Sequence, residues 1–158
     1  MKDRYITQAE YDFLTARLSK LDQDDKVALA DLKHALNYGS ETWHDNDMYD
    51  TAKNKQINID IEKKEIQSIL KSSRVLSPNK VSNLKVGIGT RVSLENIDDQ
   101  ESLTFNLGGS EATRLGEDWV SLASPLGKAL KNQTKDSIVD VKLPSGDINY
   151  KILKIEVI

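Results

Sequence analysis

The chain has 158 residues with a formal net charge of −3, 38% apolar and 30% charged positions, no cysteine and two histidines. No stretch approaches the ~20 apolar residues of a membrane span, and without cysteine there is no disulfide framework, thiolate zinc site or thiol nucleophile. Mild acidity argues against holding duplex nucleic acid by bulk charge alone, and an apolar fraction below the usual ~45–50% favours an elongated or two-part molecule. The opening MKDRYITQAEYD lacks the apolar run of a secretory signal, so a soluble cytoplasmic protein without membrane contact is expected.

The texture changes near residue 75, which predicts a helical part over 1–75 and a globular part over 76–158. Between Thr7 and about residue 71 there is no proline, and Gly39 is the single glycine. Tyr11, Leu14, Leu18, Leu21, Ala28, Leu32 and Ala35 recur at helical spacing, with Asp25 as the polar exception. Thr7 followed by Glu10 reads as a capping box, and Gly39-Ser40 as a stop. A helix of ~32 residues would be ~48 Å long. Met48, Ala52, Ile59, Ile66 and Ile69 mark a second helix, its seam interrupted by Lys55 and Glu62. Two long helices with a short polar link predict an antiparallel hairpin, each helix needing the other for stability.

Ser77-Pro78-Asn79-Lys80 reads as a linker. Beyond it, Thr90–Leu94, Ser102–Leu107, Trp119–Ala123, Ile138–Leu143 and Ile148–Val157 are predicted strands. Val139, Val141 and Leu143 alternate with Asp140 and Lys142, as one buried and one wet face require. Pro144-Ser145-Gly146-Asp147 is a hairpin turn signal, and Ser124-Pro125 a helix start with serine as cap. The fold class expected is α+β. Gly87-Ile88-Gly89 and Gly108-Gly109-Ser110 lack the phosphate-loop patterns and read as β-turns.

The link between the helices, spanning 39–50, holds Glu41, Asp45, Asp47 and Asp50: four carboxylates in ten residues without a lysine or arginine among them. Such density is tolerable at a wet tip and favourable where a divalent cation or cationic partner neutralises it. Trp43 in the same loop points to contact with another molecule or to a cap over the hairpin end. His34 and His44 stand too sparsely for a histidine metal site, and Lys33, Lys53 and Lys55 read as solubilising charge along the shaft.

Several segments together resemble the bacterial GreA/GreB transcript cleavage factors. They are the helix starting at Thr7, the acidic tip with its exit run Asp45-Asn46-Asp47-Met48-Tyr49-Asp50-Thr51-Ala52-Lys53, Ser124-Pro125-Leu126-Gly127-Lys128-Ala129-Leu130, and the hairpin at Leu143-Pro144-Ser145-Gly146. The resemblance covers nearly the whole chain. It implies an N-terminal antiparallel coiled coil and an FKBP-like α+β domain. It further implies a monomeric, non-enzymatic factor that docks on RNA polymerase and reaches the active centre through the secondary channel, near the nascent RNA 3′ end and the DNA. There the tip carboxylates would share the polymerase Mg²⁺, with no tightly bound cofactor of the factor's own.

Aligned on Asn46 and Tyr49, Asp45 takes the place of a family glutamate, one methylene shorter, while Thr42 replaces a family aspartate. Gly39 lies further from Tyr49 than in the family, so the tip is longer. Asp45, with Glu41 or Asp47, is thus the implied accessory catalytic set, and Asp45 and Glu41 the implied metal contacts. Trp43, Asn46, Tyr49, Lys53, Ser124, Pro125 and Gly127 are implied in partner binding. In the globular half Asn132-Gln133-Thr134-Lys135-Asp136 replaces a glycine-rich family turn, keeping only the aspartate. Alternative readings are a paralogue that occupies the channel and modulates polymerase without stimulating cleavage, and a prolyl isomerase. Against the isomerase stand the few aromatics, Phe105, Trp119 and Tyr150, which do not make an apolar proline pocket.

Overall fold

The structure, a computed structural model, describes residues 4–38, 47–144 and 146–158. Strand β1 (Arg4–Ile6) leads into helix α1 (Gln8–Tyr38), followed by α2 (Asp47–Ser72) and β2 (Ser73–Val75). The globular part then runs through β3 (Thr90–Asn96), β4 (Ser102–Gly108), β5 (Trp119–Ser121), α3 (Pro125–Leu130), β6 (Ile138–Leu143) and β7 (Gly146–Val157). This is the α+β class the sequence implies. Two compact units result: one is Phe13–Ser72, the other joins the chain up to Asp12 with Ser73–Ile158. The boundary near residue 75 therefore has a companion after Asp12, because β1 pairs in parallel with β2, Ile6 opposite Val75.

In the helical unit Leu14, Leu21 and Ala28 on α1 pack with Ile59, Ile66 and Ile69 on α2. The buried positions repeat every seven residues, the coiled-coil period. Polar interruptions of this seam meet one another across it. Glu62 accepts two bonds from Arg17 (2.8 and 2.7 Å), Lys63 reaches Asp22 (2.7 Å) and Asp25 (3.2 Å), and Lys55 stands 3.8 Å from Asp31. As residue numbers rise along α1 they fall along α2, so the helices are antiparallel. Partly solvated pairs of this kind contribute modest stability each, and their value lies in fixing register. Tyr11 and Met48, counted in the seam from their spacing, are exposed instead. Tyr11 precedes the paired stretch, and Met48 lines an open cleft together with the small side chains Ala35 and Ala52.

In the globular unit five strands form one sheet in the order β5-β4-β3-β7-β6, antiparallel except for β4 with β5. Val92, Leu94, Leu107, Val139, Val141 and Ile152 point to one face and bury there with Leu130 of α3. The hairpin β6–β7 closes at Leu143 opposite Gly146, as its turn signal implies. Gly87–Thr90 is a turn, with Gly89 at φ +85°. Two expectations change. Pro78–Lys80 forms a short 3-10 turn rather than a plain linker, with Lys80 and Val81 N–H bonded back to Ser77 and Pro78. Gly108 ends a strand, and Gly109 follows it without positive φ. Asn132 and Asp136 adopt the left-handed conformation (φ 63° and 65°), which their short side chains tolerate.

Candidate functional site

The first turn of α2 presents Asp47 and Asp50, both exposed, at the helix N-terminus, where the unpaired N–H groups favour negative charge. Asp47 lines a cleft of about 420 Å³ with Asp31, His34 and Met48. Tyr49 is half-buried, and the Lys53 ammonium lies 5.8 Å from its ring centroid, one helical turn on. The structure thus brings Tyr49 and Lys53 together, and sets Asp47 beside Asp31 and His34, a neighbourhood the sequence did not predict. Glu41, Thr42, Trp43, Asp45 and Asn46 lie outside the described residues. Among the described residues no group of three histidines or carboxylates is arranged to hold a metal ion.

The helices that carry this end are tied by charge. Hydrogen bonding to Glu62 raises the Arg17 guanidinium pKa further, and hydrogen bonding to Asp22 and then Asp25 raises that of the Lys63 ammonium. Both cations are thereby held charged.

In the Ser124–Leu130 segment each motif residue has a folding role. The Ser124 hydroxyl accepts from Gly127 N–H (3.0 Å) and donates to the Ser121 carbonyl (2.7 Å), and Pro125 occupies the first turn, where its missing N–H goes unmissed. A Cβ on buried Gly127 would overlap the Ser121 carbonyl oxygen and stand 2.6 Å from Leu122 Cα. Glycine is needed here for close approach. Pro125 and Lys128 remain exposed on this segment.

A buried junction that sequence reasoning read only in part fastens the start of α1 inside the globular unit. The capping box is formed: Glu10 N–H donates to Thr7 Oγ1 (3.2 Å), and Glu10 Oε2 accepts from Thr7 N–H (2.8 Å). The same carboxylate oxygen accepts from the Thr7 hydroxyl (3.0 Å) and from Gly109 N–H (3.0 Å), ninety-nine residues away. Glu10 is fully buried. A Cβ on Gly108 would stand 2.9 Å from Glu10 Oε2, and one on Gly109 would stand 2.5 Å from the Tyr5 carbonyl oxygen. The glycine pair makes room for the carboxylate. Its signal in the sequence was the doublet itself, which a turn explained equally well.

A helical hairpin joined to a five-stranded sheet, with acids at the start of α2 and a serine-capped short helix on the sheet, defines the class of molecule. The sequence model described as transcription elongation factor, GreA/GreB, C-term matches residues 81–157. Transcription elongation factor GreA of Chlorobaculum parvum is 31% identical over 158 residues, covering 98% of each chain. That of Syntrophomonas wolfei is 29% identical over 156 residues, covering 98% of this chain and 97% of its own. The crystal structure of GreA factor homolog 1 (Gfh1) of Thermus thermophilus matches at 24% identity and a TM-score of 0.45, covering 98% and 99% of the two chains. The chain belongs to the GreA/GreB family of transcription elongation factors. Among its described residues no helix is long and apolar enough to cross a membrane.

Proposed function

We propose that this chain is a cytoplasmic secondary-channel factor of RNA polymerase, itself no enzyme, that brings its tip carboxylates to the active centre of backtracked or paused complexes. The observation that carries this reading is the acidic link of the hairpin, four carboxylates in ten residues, in a member of the GreA/GreB family. Two-metal phosphoryl chemistry needs oxygen ligands that hold Mg²⁺ and place the attacking water. Asp45, with Glu41 or Asp47, supplies such oxygens, while Trp43, Asn46, Tyr49 and Lys53 make contacts around them. Ser124, Pro125 and Gly127 shape the docking surface of the globular unit. A second reading, channel occupancy that modulates polymerase without cleavage, is favoured by Thr42, which offers a hydroxyl where the family pattern has an aspartate.

The test is RNA cleavage in stalled complexes with purified polymerase, Mg²⁺ and this protein, read beside polymerase affinity. Because a misplacement of ~1 Å costs roughly a hundredfold in rate, stimulation is expected to be weak. Asp45→Asn is expected to remove it with affinity nearly unchanged. Robust stimulation that survives Asp45→Asn overturns the role given to Asp45, and failure to bind polymerase overturns the reading as a whole.

A further inference from the structure

The sheet face turned away from the core carries one row of side chains in register across four strands: Glu156 on β7, Arg91 on β3, Asn106 on β4 and Trp119 on β5. Their neighbours along the strands, Val92, Leu107 and Ile155, belong to the core on the opposite face. Arg91 Nε donates to Asn106 Oδ1 (2.9 Å). That bond fixes the amide orientation, and the Asn106 amide N–H groups and the outer guanidinium N–H groups of Arg91 have no partner among the described residues. Arg91, Asn106 and Trp119 form one side of a pocket of about 160 Å³, whose other walls include Ala9, Leu76, Pro78 and Val81. All of these residues lie within the globular unit.

Volume and chemistry together select the occupant. An engineered cavity of ~150 Å³ takes one benzene ring, so a single planar ring matches this pocket in size. Apolar walls with unmet donors at one end suit a ring edged with oxygen and nitrogen acceptors. An aliphatic or phenyl side chain would fill the volume but leave the donors unpaired. A carboxylate would meet Arg91, but it would also face Glu156 in the same row. Beside this row, Ser93 and Thr104 bring two hydroxyls together (3.2 Å), groups that can exchange hydrogen bonds with a ribose 2′-hydroxyl.

We propose that this pocket binds one unpaired nucleobase of single-stranded RNA, stacked on Trp119, with Arg91 and Asn106 donating to its ring acceptors. The site needs no polymerase and uses no residue of the helical unit. Phosphate attraction is limited, because Arg91 and Lys154 share the single carboxylate of Glu156 (Lys154 at 2.8 Å), leaving one net positive charge.

The experiment uses the full chain carrying Trp43→Phe, so that Trp119 alone reports by fluorescence. It is titrated with a short oligouridylate, its deoxy counterpart, and N-acetylphenylalaninamide. The RNA is expected to give a saturable change, and Asn106→Ala to weaken binding about tenfold, since it removes the amide donor and the acceptor that positions Arg91. Trp119→Ala, followed by anisotropy of labelled RNA, is expected to weaken it about tenfold or more. Circular dichroism confirms that both variants fold, and Ala9→Leu, which fills the pocket, supplies an independent block. The salt slope should be that of one phosphate or fewer, about −0.7 at most in magnitude. No saturable change, equal binding of the deoxy strand, equal binding of the phenylalanine analogue, or a steep salt slope indifferent to Trp119 and Asn106 would each overturn the proposal.

Discussion

Replacing Glu10 with alanine should damage the globular unit more than any single surface change, and the size of the effect follows from its bonds. Oε2 accepts from Thr7 N–H, Thr7 Oγ1 and Gly109 N–H at 2.8–3.0 Å, all in a fully buried setting. Truncation orphans two buried backbone donors, each worth ~1–3 kcal/mol when left unmet. The other half of the capping box, Glu10 N–H to Thr7 Oγ1, uses the backbone and survives the change. A total of about 4 kcal/mol is a large share of the ~5–15 kcal/mol that holds an ordinary domain together. Glu10→Gln keeps shape and acceptor but gives up charge assistance and sets an amide NH2 where buried Oε1 has no partner among the described residues, so it should cost ~1–3 kcal/mol, less than Glu10→Ala. Gly109→Ala drives a methyl to 2.5 Å from the Tyr5 carbonyl oxygen and 3.2 Å from Glu10 Oε1, for ~2 kcal/mol of overpacking. Because the two residues touch, the double variant should cost less than the sum. Denaturant unfolding followed by Trp119 emission in a Trp43→Phe background measures all four. A Glu10→Ala cost below ~1 kcal/mol, or strict additivity with Gly109→Ala, would refute the reasoning.

Two further outcomes are expected. Ser124→Ala removes the side-chain acceptor at the start of α3 and should destabilise by ~1 kcal/mol, whereas Gly127→Ala forces the Ser121–Leu122 backbone aside and should cost at least twice as much in the same unfolding assay. Lys63, whose pKa is raised above the ordinary 10.5 by bonding to Asp22 and Asp25, contributes stability that is present below that pH and lost as pH rises through its raised value. Helix content on alkaline titration should therefore fall in the wild type, and Lys63→Met should remove the part of that fall due to this group.

Periodicity alone determined much of the molecule. The seven-residue recurrence of Leu14, Leu21, Ala28 and Ala35, matched by Ala52, Ile59 and Ile66, leaves a chain of this length no economical solution but two paired helices. Alternation gave β6 its exact span, and Ser124-Pro125 located the start of α3, because caps and pleats are local properties written in a few adjacent residues. The turn at Leu143–Gly146 was legible for the same reason, whereas Asp47 and Asp50, expected in the link between the helices, belong to the first turn of α2.

Tertiary structure alone decided what joins residues far apart in the chain. Arg4–Ile6 is too short and too polar to announce a strand, and it becomes one only because Ser73–Val75 returns beside it. The Gly108-Gly109 doublet is silent about its purpose until Glu10 is placed against it, since the need is for space and not for an unusual φ. Arg91, Asn106 and Trp119 are scattered over 29 positions and share a row only through sheet register. Met48 fits the helical seam by spacing yet stays exposed, in an open cleft that it lines with Ala35 and Ala52. A sequence fixes what its neighbours in the chain can satisfy, and packing decides the rest.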